Sequence, residues 1–461
     1  MHERFENRLT TRDCKRHISH HFTVPGGSDR LVIDLEYEPA LVRGVHNLVT
    51  LTLFDPLGFR GAGHRGGARQ RVRIEADAAT PGYLPGPVLA GVWTVQVDTH
   101  MVMPGTPLTY RLDVRALGPG EIGPALPDGC AEIPLVARPD VAKVEGGAPC
   151  TTAGWYRGDF HTHTHHSDAA DFSVSDLIAE AQAFDLDFVF LTDHNTVSGL
   201  PEMDAAESGD LLTAGGMELT TFWGHALVLG TREWVDWRIS PEDGRMAFTA
   251  AAALANRDVF VIAHPQADSD PGCTGCAWRF GEMMPGNARV VEVWNGLWDC
   301  DSNNARALEL YYDWLNQGYH VVASAGTDVH GPAPAGVRPG FSVVYAMALT
   351  ERAILDALLA GHLYLSSGPI VTFTAIDEGG FSWMMGDVAT RPVTLHVTWE
   401  ACPGGAEVRV LANGRLLQRR VAGGAGEATW AMALSEADWV IVEIRAADGA
   451  LLALTNPIYF T

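Results

Sequence analysis

The chain has 461 residues, of which 47% are hydrophobic and 19% charged, and its formal net charge is −24. This length exceeds a single ordinary core, so we expect two or three domains. The acidic balance, without a Lys/Arg stripe, excludes a surface for nucleic-acid polymers, which are bound mainly through cationic side chains. A small anionic substrate remains compatible with this charge, because bound divalent cations would reverse the local field.

No stretch approaches the roughly 20 apolar residues that span a membrane, and residues 1–22 lack the apolar core of a signal peptide. The seven cysteines are scattered and odd in number, which is typical of reduced thiols. We therefore expect a cytoplasmic protein without membrane partners; no oligomeric state is predicted. Cys273 and Cys276 form a single CxxC without a second pair, and we interpret them as incidental loop residues.

Residues 20 to about 118 contain a series of short β-rich segments, including RLVIDLEYEP, NLVTLTLFDP and GVWTVQVDTH. Each segment is bounded by Gly, Pro, Asn or Asp, and no helical period interrupts them. This pattern predicts an antiparallel β-sandwich. A Pro- and Gly-rich stretch from Leu117 to about Pro149 is interpreted as a linker, so residues 1–150 form the first predicted unit.

Residues 151–369 alternate predicted strands with predicted helices. Ser173 is a predicted N-cap for the helix SVSDLIAEAQAF, and FVFLTDH, VFVIAH and VVEVWN are predicted strands. Repeated β-α units predict an α/β fold with a parallel sheet, helices outside and closure into a barrel. Residues 370–461 return to about seven short strands, which fits an immunoglobulin-like β-sandwich.

Most potential metal ligands of the middle region fall at the ends of predicted strands. Active sites of barrel enzymes gather at the C-terminal strand ends, so these residues are expected to converge although they are distant in the chain. His225 begins a strand and fits this rule less well. The predicted ligands are His161, His163, Asp168, His194, Glu218, His225, His264, Asp328 and His330.

The pair His161 and His163 suits metal binding, because residues i and i+2 of an extended chain point to the same side. Asp328 and His330 repeat this spacing on another strand. Imidazole and carboxylate ligands together suit zinc, manganese or iron(II). Glu218 is the natural bridging ligand, since a carboxylate can give one oxygen to each of two cations. A single histidine would be weak evidence, but the ordered set predicts a metal centre.

The order of these motifs resembles that of the PHP (polymerase and histidinol phosphatase) family. The motifs are HTHTHHSD, LTDHN, the glutamate of MEL, AHP and GTDVH, and the resemblance covers roughly Tyr156 to Ser367. The longer layout, with a β domain before the barrel and GHLYLSSGP after it, is similar to the branch that includes bacterial carbaryl hydrolase (CehA/McbA-like). The resemblance implies a PHP-type distorted (β/α)7 barrel, flanked by the two β-sandwich domains, and two or three divalent ions.

The resemblance also implies how the ligands are shared among the ions. A first ion would be held by His161, His163, Glu218 and Asp328. Glu218 would bridge to a second ion, also held by His225 and His264. A third ion would be held by Asp168, His194 and His330. The family carries either a histidine or an aspartate at the position of Asp168, so a weaker or empty third site is an open alternative. His165 and His166 are interpreted as loop residues or substrate contacts.

A hydroxide bridging two cations would provide the nucleophile at neutral pH, so no covalent intermediate is expected. Asp193 could orient His194 or take part in proton transfer, although a structural role is favoured. His194 or His330 could protonate a leaving group; the predicted catalytic residues are therefore Asp193, His194 and His330. The predicted substrate contacts are Arg338, Asn195 and Asn295.

Three hypotheses of function follow from these residues. The first is a phosphoesterase that hydrolyses a small phosphate ester, as the family resemblance implies. The second is a hydrolase of a carbamate, ester or amide, which the carbaryl-hydrolase-like layout suggests. The third is a metal-binding scaffold without activity, which the complete ligand set disfavours.

Overall fold

A computed structural model describes residues 1–137, 150–206 and 208–461. The predicted mixed α/β character is confirmed: strands form the first and last thirds of these residues, and strands and helices form the middle. None of the described helices is long and apolar enough to cross a membrane. The predicted linker, which ends at about residue 149, lies in part outside the described residues.

The first part of the chain forms two antiparallel sheets around one hydrophobic cluster. Its strands are β1 (His2–Leu9), β2 (Arg16–Val24), β3 (Arg30–Glu38), β4 (Leu41–Val42), β5 (Val45–His46), β6 (Leu48–Asp55), β7 (Gly58–Gly63), β8 (Arg69–Glu75), β9 (Ala78–Ala79), β10 (Gly91–Met101), β11 (Leu108–Leu117) and β12 (Val136–Ala137). One sheet has the order β1-β11-β3-β8-β9-β12, the other has the order β2-β10-β6-β7, and β4 and β5 form a separate two-stranded sheet. Leu35 of the first sheet and Leu53 and Trp93 of the second are fully buried in the shared cluster.

The middle of the chain contains nine strands and five helices within the described residues. The strands are β13 (Gly154–Asp159), β14 (Phe188–Leu191), β15 (Leu212–Thr221), β16 (Gly224–Leu229), β17 (Val259–Ile262), β18 (Val290–Asn295), β19 (Val322–Gly326), β20 (Phe341–Ala346) and β21 (Leu363–Ser366). The helices are α1 (Val174–Ala183), α2 (Leu200–Ala205), α3 (Arg245–Ala255), α4 (Asn304–Asn316) and α5 (Glu351–Ala360).

The start of α1 agrees with the prediction from the sequence. The hydroxyl of Ser173 accepts a hydrogen bond from the backbone N–H of Asp176, and the Asp176 carboxylate accepts one from the Ser173 N–H. This reciprocal capping box satisfies two backbone donors that the helix itself leaves free. It fixes where the chain leaves the loop that carries Asp168.

The sheet is only partly parallel, so the prediction of a parallel sheet is wrong for its centre. Strands β13, β14 and β15 are parallel, as are β17, β18 and β19, but β16 runs antiparallel to both β15 and β17. Only Phe222 and Trp223 separate β15 from β16. Such a short connection forms a hairpin, because a parallel crossover needs a dozen or more residues.

Closure into a barrel is not confirmed, because β19 and β20 share no backbone ladder in the described residues. Side-chain hydrogen bonds connect the end of β19 to β20 and to the end of β13 instead. The Ser342 hydroxyl accepts the Ala325 N–H and donates to the Ala325 carbonyl, both at 3.0 Å. The Asp159 carboxylate accepts the Thr327 N–H at 3.0 Å and its hydroxyl at 2.6 Å. These contacts bring the end of β19 beside the end of β13.

The last part of the chain forms two further sheets that share a second cluster. Its strands are β22 (Ile370–Ile376), β23 (Ser382–Met384), β24 (Val388–Ala389), β25 (Val393–Glu400), β26 (Glu407–Ala412), β27 (Arg415–Val421), β28 (Gly426–Met432), β29 (Trp439–Arg445), β30 (Leu451–Thr455) and β31 (Ile458–Phe460). One sheet has the order β23-β22-β25-β28. The other contains β30, which pairs with β21, and therefore continues the central sheet.

Candidate metal centre

All nine predicted ligands meet at one end of the central sheet. His161 and His163 follow β13, His194 follows β14, and Asp328 and His330 follow β19, while His264 lies two residues beyond β17. Glu218 and His225 instead lie within β15 and β16, because these strands form the hairpin described above. The parallel strands end there, and the hairpin extends across the same end of the sheet.

Glu218 lies at the centre of this group and is fully buried. Its two carboxylate oxygens are 2.7 to 3.4 Å from one nitrogen of each of five imidazoles: His161, His163, His194, His225 and His264. Neither oxygen has a hydrogen-bond partner among the described residues, because the angles of these contacts are unsuitable for hydrogen bonds. A buried carboxylate without such partners is costly unless a cation compensates it.

The donor set fits divalent metal ions. Ligand atoms about 2.0–2.1 Å from one zinc ion would lie about 3.4 Å apart in a tetrahedron, which matches the upper end of these separations. Both nitrogens of His163 and of His225, Nε2 of His161 and Oδ1 of Asp328 are also buried without hydrogen bonds. Buried polar atoms are almost always satisfied in folded proteins, so an ion is the partner that this arrangement calls for.

The first group consists of His161, His163 and Asp328, and its ligand atoms lie within 4.8 Å of one another. Oδ1 of Asp328 is 3.4 Å from Nε2 of His161 and 2.9 Å from Nε2 of His163. Glu218 approaches the same two nitrogens at 3.4 and 3.3 Å. The four residues that the resemblance assigns to one ion are therefore brought together.

A second group, His194, Glu218 and His225, also fits one ion. Nδ1 of His225 is 3.0 Å from Oε1 of Glu218, and Nε2 of His264 is 3.4 Å from the same oxygen. The implied ligands of the second ion therefore lie together, and His194 adjoins them as well.

A third group consists of Asp168, His194 and His330, and His163 joins it. The Asp168 carboxylate lies 3.4 Å from Nε2 of His194 and 3.2 Å from Nε2 of His330. The His330 side chain is 38% exposed, so this group faces the solvent side of the centre.

Backbone strain accompanies two of the predicted ligands. Asp328 has a φ of 55° and His264 a φ of 27°, both in the left-handed region that non-glycine residues rarely adopt. Such conformations cost about 1–3 kcal/mol each and persist where the surrounding structure requires them. Both residues lie where β17 and β19 end, and their side chains reach the centre: His264 lies beside Glu218, and Asp328 lies beside His161 and His163.

Glu292 of β18 is a buried carboxylate that the sequence analysis missed. It accepts a hydrogen bond from Nδ1 of His161 at 3.0 Å and another from the backbone N–H of His264 at 3.0 Å. The first bond fixes the His161 tautomer, so that Nε2 faces Glu218 and Asp328. The signal in the sequence is the single charge in the apolar strand VVEVWN, because a charge buried in such a strand needs partners.

The predicted catalytic residue Asp193 binds the loop after β13 and does not contact the ring of His194. Its carboxylate accepts hydrogen bonds from the Thr164 N–H at 2.8 Å, the Thr164 hydroxyl at 2.8 Å and the Ser167 hydroxyl at 2.7 Å. All these donors lie shortly before Asp168. The geometry therefore gives Asp193 a positioning role for the loop.

The predicted substrate contacts Asn195 and Asn295 have their amides engaged by the protein. Asn195 donates to the Thr220 carbonyl at 2.9 Å and accepts the Thr220 N–H at 2.8 Å. Asn295 donates to Glu292 at 3.0 Å and to Asp328 at 3.2 Å. Both asparagines thus hold residues of the centre in place. Arg338 is exposed and does not line the cavity described next; its guanidinium lies near Gly368.

The candidate metal centre opens into a cavity of about 550 Å³. The first part of the chain supplies one wall, including Val45, Leu48, His64 and Met101, and the segment from Pro271 to Cys276 supplies another. None of the described lining residues is Lys or Arg. Bound cations would therefore be the main positive charge available to a substrate here.

The sulfur atoms of Cys273 and Cys276 lie against each other within this second wall. The carbonyl of Cys276 accepts a hydrogen bond from Nδ1 of His264 at 3.1 Å. This bond leaves Nε2 of His264 facing Glu218. The segment that contains the two cysteines therefore orients a ligand, a role that the sequence spacing did not reveal.

The carboxylates and imidazoles of the centre shift one another's pKa values. Burial raises the pKa of Glu218, but the imidazoles of His194, His161 and His225 outweigh burial and hold this pKa well below its usual value. Burial lowers the pKa of His161, but Asp328, Glu292 and Glu218 raise it well above the usual value. These directions favour protonated imidazoles, and a bound metal would displace such protons.

His165, His166 and Glu202 form a separate group outside this cavity. The ring nitrogens of His166 are 2.8 Å from the Ser198 hydroxyl and 3.3 Å from Glu202. His166 therefore has partners within the protein, which agrees with its interpretation as a loop residue.

No family model matches this chain, and no curated protein matches it. Among solved structures, a two-domain protein from Bacteroides vulgatus containing a predicted PHP-like metal-dependent phosphoesterase is 16% identical; the match covers 66% of this chain and 96% of that chain, with a TM-score of 0.38. An amidohydrolase from Chromobacterium violaceum, with bound sulfate and no metal, is 18% identical over 38% of this chain and 88% of that chain, with a TM-score of 0.26. Both TM-scores are low, so the functional argument depends on the geometry of the site.

Proposed function

We propose that this protein is a metal-dependent hydrolase of the PHP type, and that its substrate is a small phosphate ester. The observation that carries the proposal is the buried Glu218 carboxylate, which five imidazoles surround and no hydrogen bond satisfies. Such a set of nitrogens and oxygens suits two or three ions of zinc, manganese or iron. Bound ions would supply an activated water at neutral pH and offset negative charge in the transition state.

The predicted ligands form three sets, each of which would hold one ion. His161, His163 and Asp328 would hold one ion together with Glu218, which would also bind the ion held by His225 and His264. A third ion would lie among Asp168, His194 and His330, of which His330 is exposed. Three divalent cations would carry twice the charge of the carboxylates of Glu218, Asp328 and Asp168, so the net field in the cavity would attract an anion.

His330 is the candidate for proton transfer to the leaving group. It is the most exposed of the nine predicted ligands, and its ring lies beside Asp168 at the open side of the cavity. Without a third ion, Asp168 would hold a proton on Nε2 of His330, ready for a leaving oxygen. Asp193 acts indirectly, because its hydrogen bonds hold the loop that presents Asp168.

A second candidate is a hydrolase of an uncharged carbamate, ester or amide. The observation that favours it is the cavity wall, where Val45, Leu48, Met101 and Pro271 provide apolar surface and no described lining residue is Lys or Arg. A phosphate would depend on the ions alone for its charge partners. An uncharged substrate would need only polarisation of its carbonyl oxygen.

The test is a parallel assay of purified protein, loaded with Mn²⁺ or Zn²⁺, on para-nitrophenyl phosphate and para-nitrophenyl acetate. Glu218→Gln is the matched control, because it keeps the shape of the side chain and removes its charge. Hydrolysis of the phosphate alone, lost in E218Q, supports the phosphoesterase. Hydrolysis of the acetate alone supports the second candidate. Turnover of neither ester by protein with confirmed metal would contradict both and leave a metal-binding scaffold.

A further inference from the structure

His64 extends from the first β domain into the metal cavity. It follows directly after β7, which ends at Gly63, and it lines the cavity together with the metal centre. The centroid of its ring lies 4.7 Å from the ring of His194 and 4.8 Å from that of His100. A histidine from a separate part of the chain therefore packs directly against a predicted metal ligand.

On one side of His64, Arg65 binds the loop that carries Asp168. Its guanidinium donates hydrogen bonds to the carbonyl of His165 at 2.6 Å and to the carbonyl of Ser167 at 3.2 Å. These carbonyls belong to the loop that carries Asp168. The residue next to His64 is thus bonded to the loop that presents a ligand.

Near the other side of His64, the backbone of Gly82 binds the segment that follows His194. Its N–H donates to the Ser198 hydroxyl at 2.9 Å, and its carbonyl accepts from the Thr196 hydroxyl at 2.8 Å. Thr196 and Ser198 follow shortly after His194. A Cβ at Gly82 would come within 2.7 Å of the Ala62 carbonyl and 2.9 Å of the His166 carbonyl, so the two parts of the chain approach closely here. His64 is therefore held over the centre by contacts on both sides.

The ring nitrogens of His64 are available to a ligand. They make no hydrogen bond to any other residue in the part of the chain that the structure describes, and His64 belongs to none of the groups that could hold a metal. Four other histidines of the cavity lie beside the carboxylates of Glu218, Asp168 or Asp328: His194, His225, His264 and His330. His64 thus combines a fixed position with unused hydrogen-bonding capacity.

We propose that His64 forms a hydrogen bond to the substrate bound at the metal centre, so that the first β domain supplies part of the active site. This inference rests on the proposed function. The atom contacted would be an oxygen of the phosphate or, in the second candidate, of the carbonyl group. His64 is then a substrate-contact residue and not a metal ligand, which separates its expected behaviour from that of its neighbour His194.

The test uses the full-length, metal-loaded protein and inorganic phosphate as the probe. His64→Phe keeps a ring against His194 and His100 but removes both nitrogens, whereas His64→Gln keeps a hydrogen-bonding group. His21→Ala is the control, because His21 is an exposed histidine of the same domain whose ring bonds to Thr94. Calorimetry gives the Kd for phosphate, elemental analysis gives the metal content, and steady-state assays give KM and kcat.

We expect H64F to weaken phosphate binding about 10-fold or more, as for loss of a hydrogen bond to a charged group. Its KM for the substrate that the wild type hydrolyses should rise while its metal content stays unchanged. H64Q should recover part of the affinity, and H21A should match the wild type. If H64F fails to fold, His64→Ala carries the same expectation.

Wild-type phosphate affinity in H64F would overturn the inference, because the ring would then serve packing alone. Loss of a metal equivalent would also overturn it, because His64 would then be a ligand. Failure of the proposed function appears separately, in wild-type protein that binds metal and phosphate but hydrolyses neither chromogenic ester. Metal-loaded wild type that binds no phosphate and hydrolyses neither ester would overturn both.

Discussion

Nδ1 of His161 lies 3.0 Å from Oε1 of Glu292, and both side chains are buried. A carboxylate at this position directs the opposite ring nitrogen toward Glu218 and Asp328. The same glutamate accepts the backbone N–H of His264. Glu292, which is not among the nine predicted ligands, therefore contacts residues assigned to two of the ions, and it forms with His161 and His264 a further buried group whose ligand atoms lie within 4.8 Å of one another.

Glu292→Gln should weaken metal binding by about 10- to 100-fold, the usual effect of losing a carboxylate that orients a metal-bound histidine. The fold should be kept, because the amide fills the same space. Competition with a chromogenic chelator measures the affinity. Glu309→Gln, an exposed glutamate on α4, is the matched control and should match the wild type. Equal affinities in the two variants would contradict the role of Glu292.

Glu218→Gln should have a larger effect, with loss of at least one metal equivalent and a fall in activity of about 100-fold or more. An amide cannot give a charged oxygen to each of two ions. Elemental analysis together with the ester assays measures both effects. Full metal content and near-normal activity in E218Q would contradict the proposal that Glu218 binds two ions.

Metal binding should release protons at neutral pH. The pKa values of His161 and His194 are raised well above normal because nearby carboxylates outweigh burial, so we expect both rings to hold a proton when no metal is bound. Since a metal binds neutral imidazole, affinity should rise with pH until these groups have lost their protons, and it should fall as the pH drops. Calorimetry at pH 7 in buffers of different ionisation enthalpy should show release of about one proton or more. A binding enthalpy independent of the buffer would contradict this protonation.

Asp193→Asn should destabilise the loop that carries Asp168. An amide nitrogen would then face one or more of the donors on Thr164 and Ser167, so a buried hydrogen bond would be lost. Such a loss costs about 1–3 kcal/mol, which lowers the melting temperature by several degrees. Differential scanning calorimetry measures it. We expect the metal content to fall only at the group of Asp168, His194 and His330, whereas loss of all ions would assign Asp193 a broader role.

The sequence predicted the convergence of the nine predicted ligands because most of them lie near strand ends, which is a local property of the chain. The i, i+2 spacing of His161 and His163 has a local geometric meaning, and the structure places both rings beside Glu218 and Asp328. The N-cap at Ser173 was predictable for the same reason. These features depend on residues that are close in the chain.

Features that depend on tertiary packing were not predicted. Glu292 has no motif around it, and its role appears only when β18 lies beside the end of β13. His64 belongs to a different part of the chain and reaches the cavity only through docking of that part. The antiparallel β16 was missed because a short buried run such as HALVLG looks the same in a parallel or an antiparallel sheet. The charge of Arg338 suggested a contact with an anionic substrate, but the residue lies outside the cavity.

The central claim is that divalent ions bind around Glu218, and anomalous diffraction from crystals of metal-loaded protein tests it most directly. Data collected on both sides of the absorption edge of the metal locate each ion independently of the protein. The account predicts at least two anomalous peaks within about 2.0–2.2 Å of the Glu218 oxygens, each also bonded to histidine nitrogens. Crystals with confirmed metal content but no peak at Glu218, or with peaks only at His165, His166 and Glu202, would contradict it.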